Sequence, residues 1–234
     1  MLVIGHRGAS AHGPENTIAA FKMALEKGCS GIELDVQLSK DEEVIVFHDY
    51  VVDRTTNGSG YVKDMTLKEL KSLDTGTWFD ESFVGERIPT LEEVLQAIPK
   101  GVLINIEIKN LLIHQGKIEK KVLDLVIKYD RMKDVIISSF DHYVLKNIRD
   151  LNKEIKIGLL IYANIIEPWS YIRIHNLDVY SIHPTEEYLS KGFVKDAHAH
   201  GYKVFSYTIN CPDRAKEAYE MGVDAIFSNY PEII

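Results

Sequence analysis

Apolar residues along this chain fall into two alternating rhythms. Nine short runs rich in Val, Ile and Phe, at 2–6, 31–36, 44–49, 102–109, 135–140, 155–161, 178–184, 203–209 and 224–230, read as strands. Most intervals between them space their apolar residues three and four apart, the pattern of an amphipathic helix. In "PENTIAAFKMALEKG", Pro14 leads, Ile18, Phe21 and Leu25 share one face, and Gly28 supplies a stop. Strand–helix alternation over this length predicts an α/β chain with a parallel sheet, either a closed eight-stranded barrel or an open doubly wound sheet. No glycine-rich phosphate loop follows any strand, so the nucleotide-binding open sheets lose support.

Nine strands are one too many for such a barrel. The runs at 31–36 and 44–49 are separated by "QLSKDEE", too short for a parallel crossover. They are expected to form a hairpin, which makes one of them an added antiparallel strand. The stretch from Tyr50 to Pro99 breaks the rhythm. It is dense in Gly, Thr, Asp and Ser up to Gly85, with a short helix expected near 67–73 and another from Thr90. Long excursions of this kind are usually functional. We expect one unit over 1–234 with an insertion, or cap, at 50–89. Trp78 and Phe79 form either the cap's own small core or a lip over the site.

Period-2 alternation also places charge. In "LINIEIK", Ile104, Ile106 and Ile108 face one way, and Asn105, Glu107 and Lys109 the other. In "GIELDVQ", Glu33, Asp35 and Gln37 oppose Ile32, Leu34 and Val36. The outer face of a barrel packs on helices and must be apolar, so three carboxylates and a lysine are directed inward. Buried, clustered carboxylates need cations. Lys109 balances one charge, and a divalent metal ion would balance two more. Oxygen-only ligands favour Mg2+ or Ca2+. The alternative is a buried salt-bridge network that only fixes the fold.

Two histidines end strands nearby. His6 closes the first run. If the hairpin turn centres on Lys40 and Asp41, Asp35 pairs with Val46 and Glu33 with His48, which puts His48 beside the carboxylates. Two imidazoles at such a site suit acid–base work. Arg7 is the natural phosphate ligand, because its guanidinium is permanently charged and bidentate. This set suits a phosphate ester: the metal ion, Arg7 and Lys109 offset charge on phosphorus, one histidine takes a proton, and the other returns one to the leaving alkoxide.

Composition narrows the field. A formal net charge of -8 argues against nucleic acid or an anionic membrane as the main partner. The two cysteines, Cys29 and Cys211, lack any motif spacing and read as small hydrophobes. No apolar run reaches the ~18 residues of a membrane span, and strand-like sequence begins at Leu2, so a cytoplasmic location is expected. The oligomeric state is left open.

The same residues carry a family likeness. "HRG" at His6, "PENT" at Pro14, "IELDV" at Ile32, "VFHD" at Val46, "DRTTNGSG" at Asp53, "IPTLEEVL" at Ile88 and "IEIK" at Ile106 occur in an order that resembles the glycerophosphodiester phosphodiesterase family of phospholipase-C-like barrels. The resemblance implies a distorted (β/α)8 barrel with a small insertion after His48-Asp49. It implies metal ligation by Glu33, Asp35 and Glu107, an acid–base pair of His6 and His48, and phosphate contacts from Arg7 and Lys109. The implied reaction is hydrolysis of a small-molecule glycerophosphodiester to sn-glycerol 3-phosphate and an alcohol. Two rivals are a lysophospholipid-type phosphodiesterase, whose apolar approach is not evident in the sequence, and a Schiff-base lyase using Lys109.

The chain departs from the family at two places. "YTIN" stands where the family usually has Trp-Thr-Val-Asn, and strand parity groups Tyr207 with Phe205 and Ile209, leaving it either at the substrate or in outward core. "SNYP" replaces a closing "TDxP", so Asn229 stands where an aspartate is usual. Within "PENT", Glu15 is expected to complement the helix dipole and Asn16 to reach the substrate. His183 ends a strand and either lines the pocket or packs in the core.

Overall fold

A computed structural model describes residues 1–109 and 117–234. The first strands and helix are β1 (Leu2–Gly5), α1 (Ile18–Glu26), β2 (Gly31–Leu38) and β3 (Val44–Val46). After the excursion, which contains α2 (Leu67–Ser72), come α3 (Leu91–Ala97), β4 (Leu103–Ile108) and α4 (Lys117–Lys128). The second half alternates regularly: β5 (Val135–Ser139), α5 (His142–Leu151), β6 (Lys156–Ile161), α6 (Pro168–Ile174), β7 (Ser181–Pro184), α7 (Lys191–Ala199), β8 (Lys203–Ser206), α8 (Pro212–Met221) and β9 (Ala225–Ser228). β1 pairs in parallel with both β2 and β9, which closes eight parallel strands into a barrel with helices between them. The ninth run, β3, is the added strand, antiparallel on β2.

The hairpin register differs by one residue from the sequence expectation. Val36 pairs with Val46, Gln37 with Ile45 and Leu38 with Val44. The cause is an odd-numbered loop. Ser39 N–H donates to the Glu43 carbonyl (3.0 Å), Glu43 N–H donates to the Ser39 hydroxyl (2.9 Å), and Ser39 Oγ donates to Asp41 (2.7 Å), so the turn centres on Asp41. The left-handed backbone of Glu42 (φ 62°) completes it. Glu33 therefore does not pair with His48, which lies past the end of β3.

Strand faces sort as alternation requires. Ile32, Leu34 and Val36 with Ile104, Ile106 and Ile108 point outward into the main core beneath the helices. Inside the barrel the floor is apolar, made of Ile4, Ile136, Phe205, Ala225 and Phe227. Above it lies a polar layer in which Asn105 donates to Ser138 (2.9 Å) and Ser181 meets His183 (2.7 Å). His183 is wholly buried and stacked on Phe205, so it packs in the barrel interior.

The excursion packs on β3 and the residue after it through a second apolar cluster, in which Ile45 and Phe47 meet Val52, Val62, Leu70 and Ile88. Thr66 with Glu69 and Thr90 with Glu93 form reciprocal capping boxes that start α2 and α3. Trp78 and Phe79 pack edge to face on each other, and Phe79 in turn on Phe83, a half-exposed aromatic cluster on the excursion. Among the described residues, no helix is long and apolar enough to cross a membrane.

Candidate active site

The C-terminal ends of the strands form the mouth of the barrel, where sites of this architecture lie. β1 ends at Gly5, and the chain turns sharply through Arg7 (φ 56°) and Gly8 (φ 86°). A Cβ on Gly8 would lie 2.6 Å from the Ala20 backbone, so glycine lets α1 press against this turn. The turn aims the Arg7 N–H at Glu33 Oε2 (2.8 Å) and holds the His6 side chain over the barrel axis side of β1, where it lines a small cavity.

Glu33 and Asp35 on β2 and Glu107 on β4 present carboxylate oxygens within 4.8 Å of one another. Strand pairing sets Asp35 directly beside Glu107. The cations are close: Lys109 Nζ lies 3.2 Å from Asp35 and contacts Glu107, and Arg7 Nε lies 3.5 Å from Asp35. Burial alone would raise Asp35, but Lys109 and then Arg7 outweigh it and hold this carboxyl well below the usual range. Burial, with Asp35 beside it, pushes Glu107 up to about 7. Burial and the neighbouring carboxylates push Glu33 up as well. Three carboxylates thus face two cations, and Glu33 Oε1 is buried with no hydrogen-bond partner. A cavity of about 20 Å3 is lined by His6, Glu33, Asn105, Glu107 and Tyr207 among others. An orphaned carboxylate oxygen, an all-oxygen donor set and room for one small ion fit a hard divalent cation.

The two imidazoles have different partners. His6 Nδ1–H donates to the Asn229 side-chain carbonyl at 2.7 Å, and Asn229 N–H is held by Asn210 (2.9 Å). Burial, then the Arg7 charge, lowers His6 to about 4. His48 Nδ1–H donates to the Asp49 carboxylate at 2.6 Å. Burial lowers His48 too. Because β3 ends early, His48 depends on other anchors. Phe47 N–H donates to the Asp35 carbonyl (2.9 Å), and the inward Gln37 amide donates to the carbonyls of both Phe47 (2.9 Å) and Asp49 (2.8 Å). The slipped register is thereby offset: a buried glutamine clamps the backbone on either side of the imidazole.

Three further residues take definite places. The helix dipole is not what Glu15 serves. Thr17 caps α1, so Glu15 precedes the helix and instead accepts from Arg7 (3.0 Å) and from Arg54 (2.7 and 2.8 Å). Asn16 braces the triad: its amide donates to Asp35 Oδ2 (2.8 Å) and accepts the Asp35 N–H (3.3 Å). Tyr207 is not outward core. Phe205 belongs to the barrel floor, and Tyr207 follows it inward to the small cavity, with its hydroxyl donating to the Ile161 carbonyl (2.9 Å) and its ring edge-on to Phe140.

Sequence reasoning missed Gln37 and Arg54. The alternation that selected Glu33 and Asp35 also pointed Gln37 inward, so the signal was present. Arg54 lies in the excursion, and nothing local announces that it bonds Asp49 (2.6 Å) and Glu15 together. Beside the mouth opens a larger cleft of about 320 Å3, lined by Tyr50, Glu107, Lys109, Ser139, Phe140 and Asp141.

Comparison with known proteins agrees with this geometry. The model of the glycerophosphoryl diester phosphodiesterase family matches residues 6–233. A glycerophosphodiester phosphodiesterase of Caldanaerobacter subterraneus is 45% identical over 234 residues, spanning 100% of this chain and 96% of that protein. One from Bacillus subtilis is 34% identical, covering 100% of this chain and 85% of its own length. Among solved structures, an Oleispira antarctica phosphodiesterase in complex with the product sn-glycerol-3-phosphate superposes with a TM-score of 0.93 at 34% identity, covering 99% of this chain and 94% of that one.

Proposed function

The chain belongs to the glycerophosphoryl diester phosphodiesterase family, and from that membership and the geometry of the mouth we propose that it hydrolyses glycerophosphodiesters to sn-glycerol 3-phosphate and an alcohol, with His6 and His48 moving the protons. It is an enzyme of the phosphoric diester hydrolase kind. The observation that carries the finer reading is the meeting, at one barrel mouth, of an acidic triad, two fixed cations and two imidazoles with unlike partners.

Glu33, Asp35 and Glu107 would hold one divalent ion, Ca2+ or Mg2+, which supplies Lewis-acid stabilisation of charge on phosphate oxygens. Arg7 and Lys109 flank the triad and provide permanent positive charge for the same oxygens. The hydrogen bonds favour one division of the proton roles. His6 donates from Nδ1 to a neutral amide, which leaves Nε2 with a lone pair and gives an imidazolium no carboxylate partner; this suits the base. His48 donates from Nδ1 to the Asp49 carboxylate, which stabilises its protonated form and suits the acid that protonates the leaving alkoxide. The Schiff-base reading of Lys109 loses ground. Burial works against its ammonium, but Asp35 and Glu107 outweigh burial and hold it above the ordinary lysine value, whereas a nucleophilic amine must be neutral.

One observation favours a second substrate within the same chemistry. Tyr162 and Ile166, in the loop after β6 on the mouth side, are 71% and 90% exposed, and Phe140 beside the cleft is 44% exposed. This apolar rim suits a substrate carrying an acyl chain. Release of sn-glycerol 3-phosphate from glycerophosphocholine and glycerophosphoethanolamine, coupled to its dehydrogenase, tests the main reading. His6→Ala and His48→Ala are each expected to lose about 100-fold or more in kcat. Turnover confined to lysophosphatidylcholine would replace the main reading with the second. Undiminished turnover in both variants would refute the histidine assignment.

A further inference from the structure

Arg54 is the side chain through which the excursion reaches both halves of the proton-transfer and phosphate-binding machinery. Its Nε donates to Asp49 Oδ2 at 2.6 Å and its Nη2 to Asp49 Oδ1 at 3.2 Å. The same guanidinium gives Nη1 to Glu15 Oε2 at 2.8 Å and Nη2 to Glu15 Oε1 at 2.7 Å. Asp49 in turn accepts from His48, and Glu15 from Arg7. A continuous chain of charged contacts therefore runs from the His48 ring through Asp49, Arg54 and Glu15 to Arg7, which ends on Asp35.

We propose that Arg54 is a positioning residue for the reaction: one planar guanidinium fixes Asp49 behind His48 and Glu15 behind Arg7, and so sets the imidazole tautomer and the phosphate-binding arginine together. Three observations carry this. Among the described residues, the cations in ion-pair reach of Asp49 are His48 and Arg54, and those in reach of Glu15 are Arg7 and Arg54, so Arg54 is what joins the two carboxylates. The planar fork of arginine places two N–H···O bonds on each of the two carboxylates, four in all, whereas an ammonium has three donors and no fixed plane. Finally, the Arg54 side chain is 45% exposed, and ion pairs so exposed add little to folding stability. Its four bonds are better explained by what they aim than by what they stabilise. Glu15 lies in the turn after β1 and Arg54 in the excursion, so one side chain ties the excursion to that turn and to the carboxylate behind His48.

The inference rests on the reading of His48 and Arg7 as reacting groups, and the test separates the two. Side-chain 15N NMR of His48 at about pH 8, assigned with His48→Gln, reads the neutral tautomer directly in the wild-type protein, Arg54→Gln and Arg54→Lys. The wild type is expected to carry its proton on Nδ1. In Arg54→Gln the ring becomes a mixture of tautomers, kcat falls about 10- to 100-fold, and KM rises as Arg7 loses its brace. Arg54→Lys recovers only part of each effect. Thermal melts of both variants stay close to wild type. A wild-type tautomer in Arg54→Gln overturns the proposal, whether or not activity falls, and so does wild-type kcat. If the wild-type protein releases no sn-glycerol 3-phosphate, the phosphodiesterase reading fails, while the tautomer comparison still decides the role of Arg54.

Discussion

Asn229 shows how much chemistry a single amide can direct. It offers His6 an uncharged acceptor at 2.7 Å, in a position where an aspartate would offer a carboxylate. Asn229→Asp would stabilise the His6 imidazolium and raise its pKa from about 4. With His6 as the proposed base, which acts unprotonated, the acid limb of kcat/KM against pH should move to higher pH in this variant, and a superimposable profile would separate Asn229 from the base. Such effects divide at the residue scale into what alternation can and cannot show. Glu33, Asp35, Gln37 and Glu107 could be placed because a strand has only two faces. Asn16 and Glu15 could not, because both sit in an irregular turn where no period applies. Arg54 could not because Glu15, the partner that gives it meaning, is 39 residues away.

At the scale of elements, the strands and helices follow from apolar spacing, and the misjudged feature is a turn. The β2–β3 loop takes an odd number of residues because the Ser39 hydroxyl, itself held by Asp41, accepts the Glu43 N–H, and that chemistry is hard to weigh against an equally plausible even loop. The turn from β1 into α1 is the more consequential one. Gly8 has a φ of 86° and no room for a Cβ against Ala20. Gly8→Ala is expected to cost about 1–3 kcal/mol of stability and to lower kcat as well, because the same turn aims Arg7 N–H at Glu33. Urea unfolding alongside turnover measures both. In the excursion, Thr66→Ala removes one capping box and should cost about 0.5–2 kcal/mol, again read by urea unfolding. A cost near zero there would show that α2 is held by its Leu70 contact alone.

At the scale of the whole molecule, the barrel interior is graded from an apolar floor to a charged rim. Buried histidines within it make stability depend on pH. Burial lowers His183 to about 3, against an ordinary value of 6.5. Between those values the unfolded chain binds a proton that the native chain does not, so this contribution is full above pH 6.5 and is lost as pH falls toward 3. His183→Asn should flatten the stability profile in that window, as followed by urea midpoints at pH 4 to 7. The rim has a linked behaviour of its own. With Glu107 raised to about 7, loading of the triad by a divalent ion at pH 6 should release protons, measurable by titration in weak buffer.

The proposed metal dependence of this phosphodiesterase rests on the triad of Glu33, Asp35 and Glu107. The most direct test is to strip the protein of metal and measure sn-glycerol 3-phosphate released from glycerophosphocholine, before and after adding Ca2+ or Mg2+, with Glu33→Gln assayed in parallel. Activity should vanish on stripping, return with one of the two ions, and return poorly in the variant. Full activity in the stripped protein, or full recovery in Glu33→Gln, would contradict the claim.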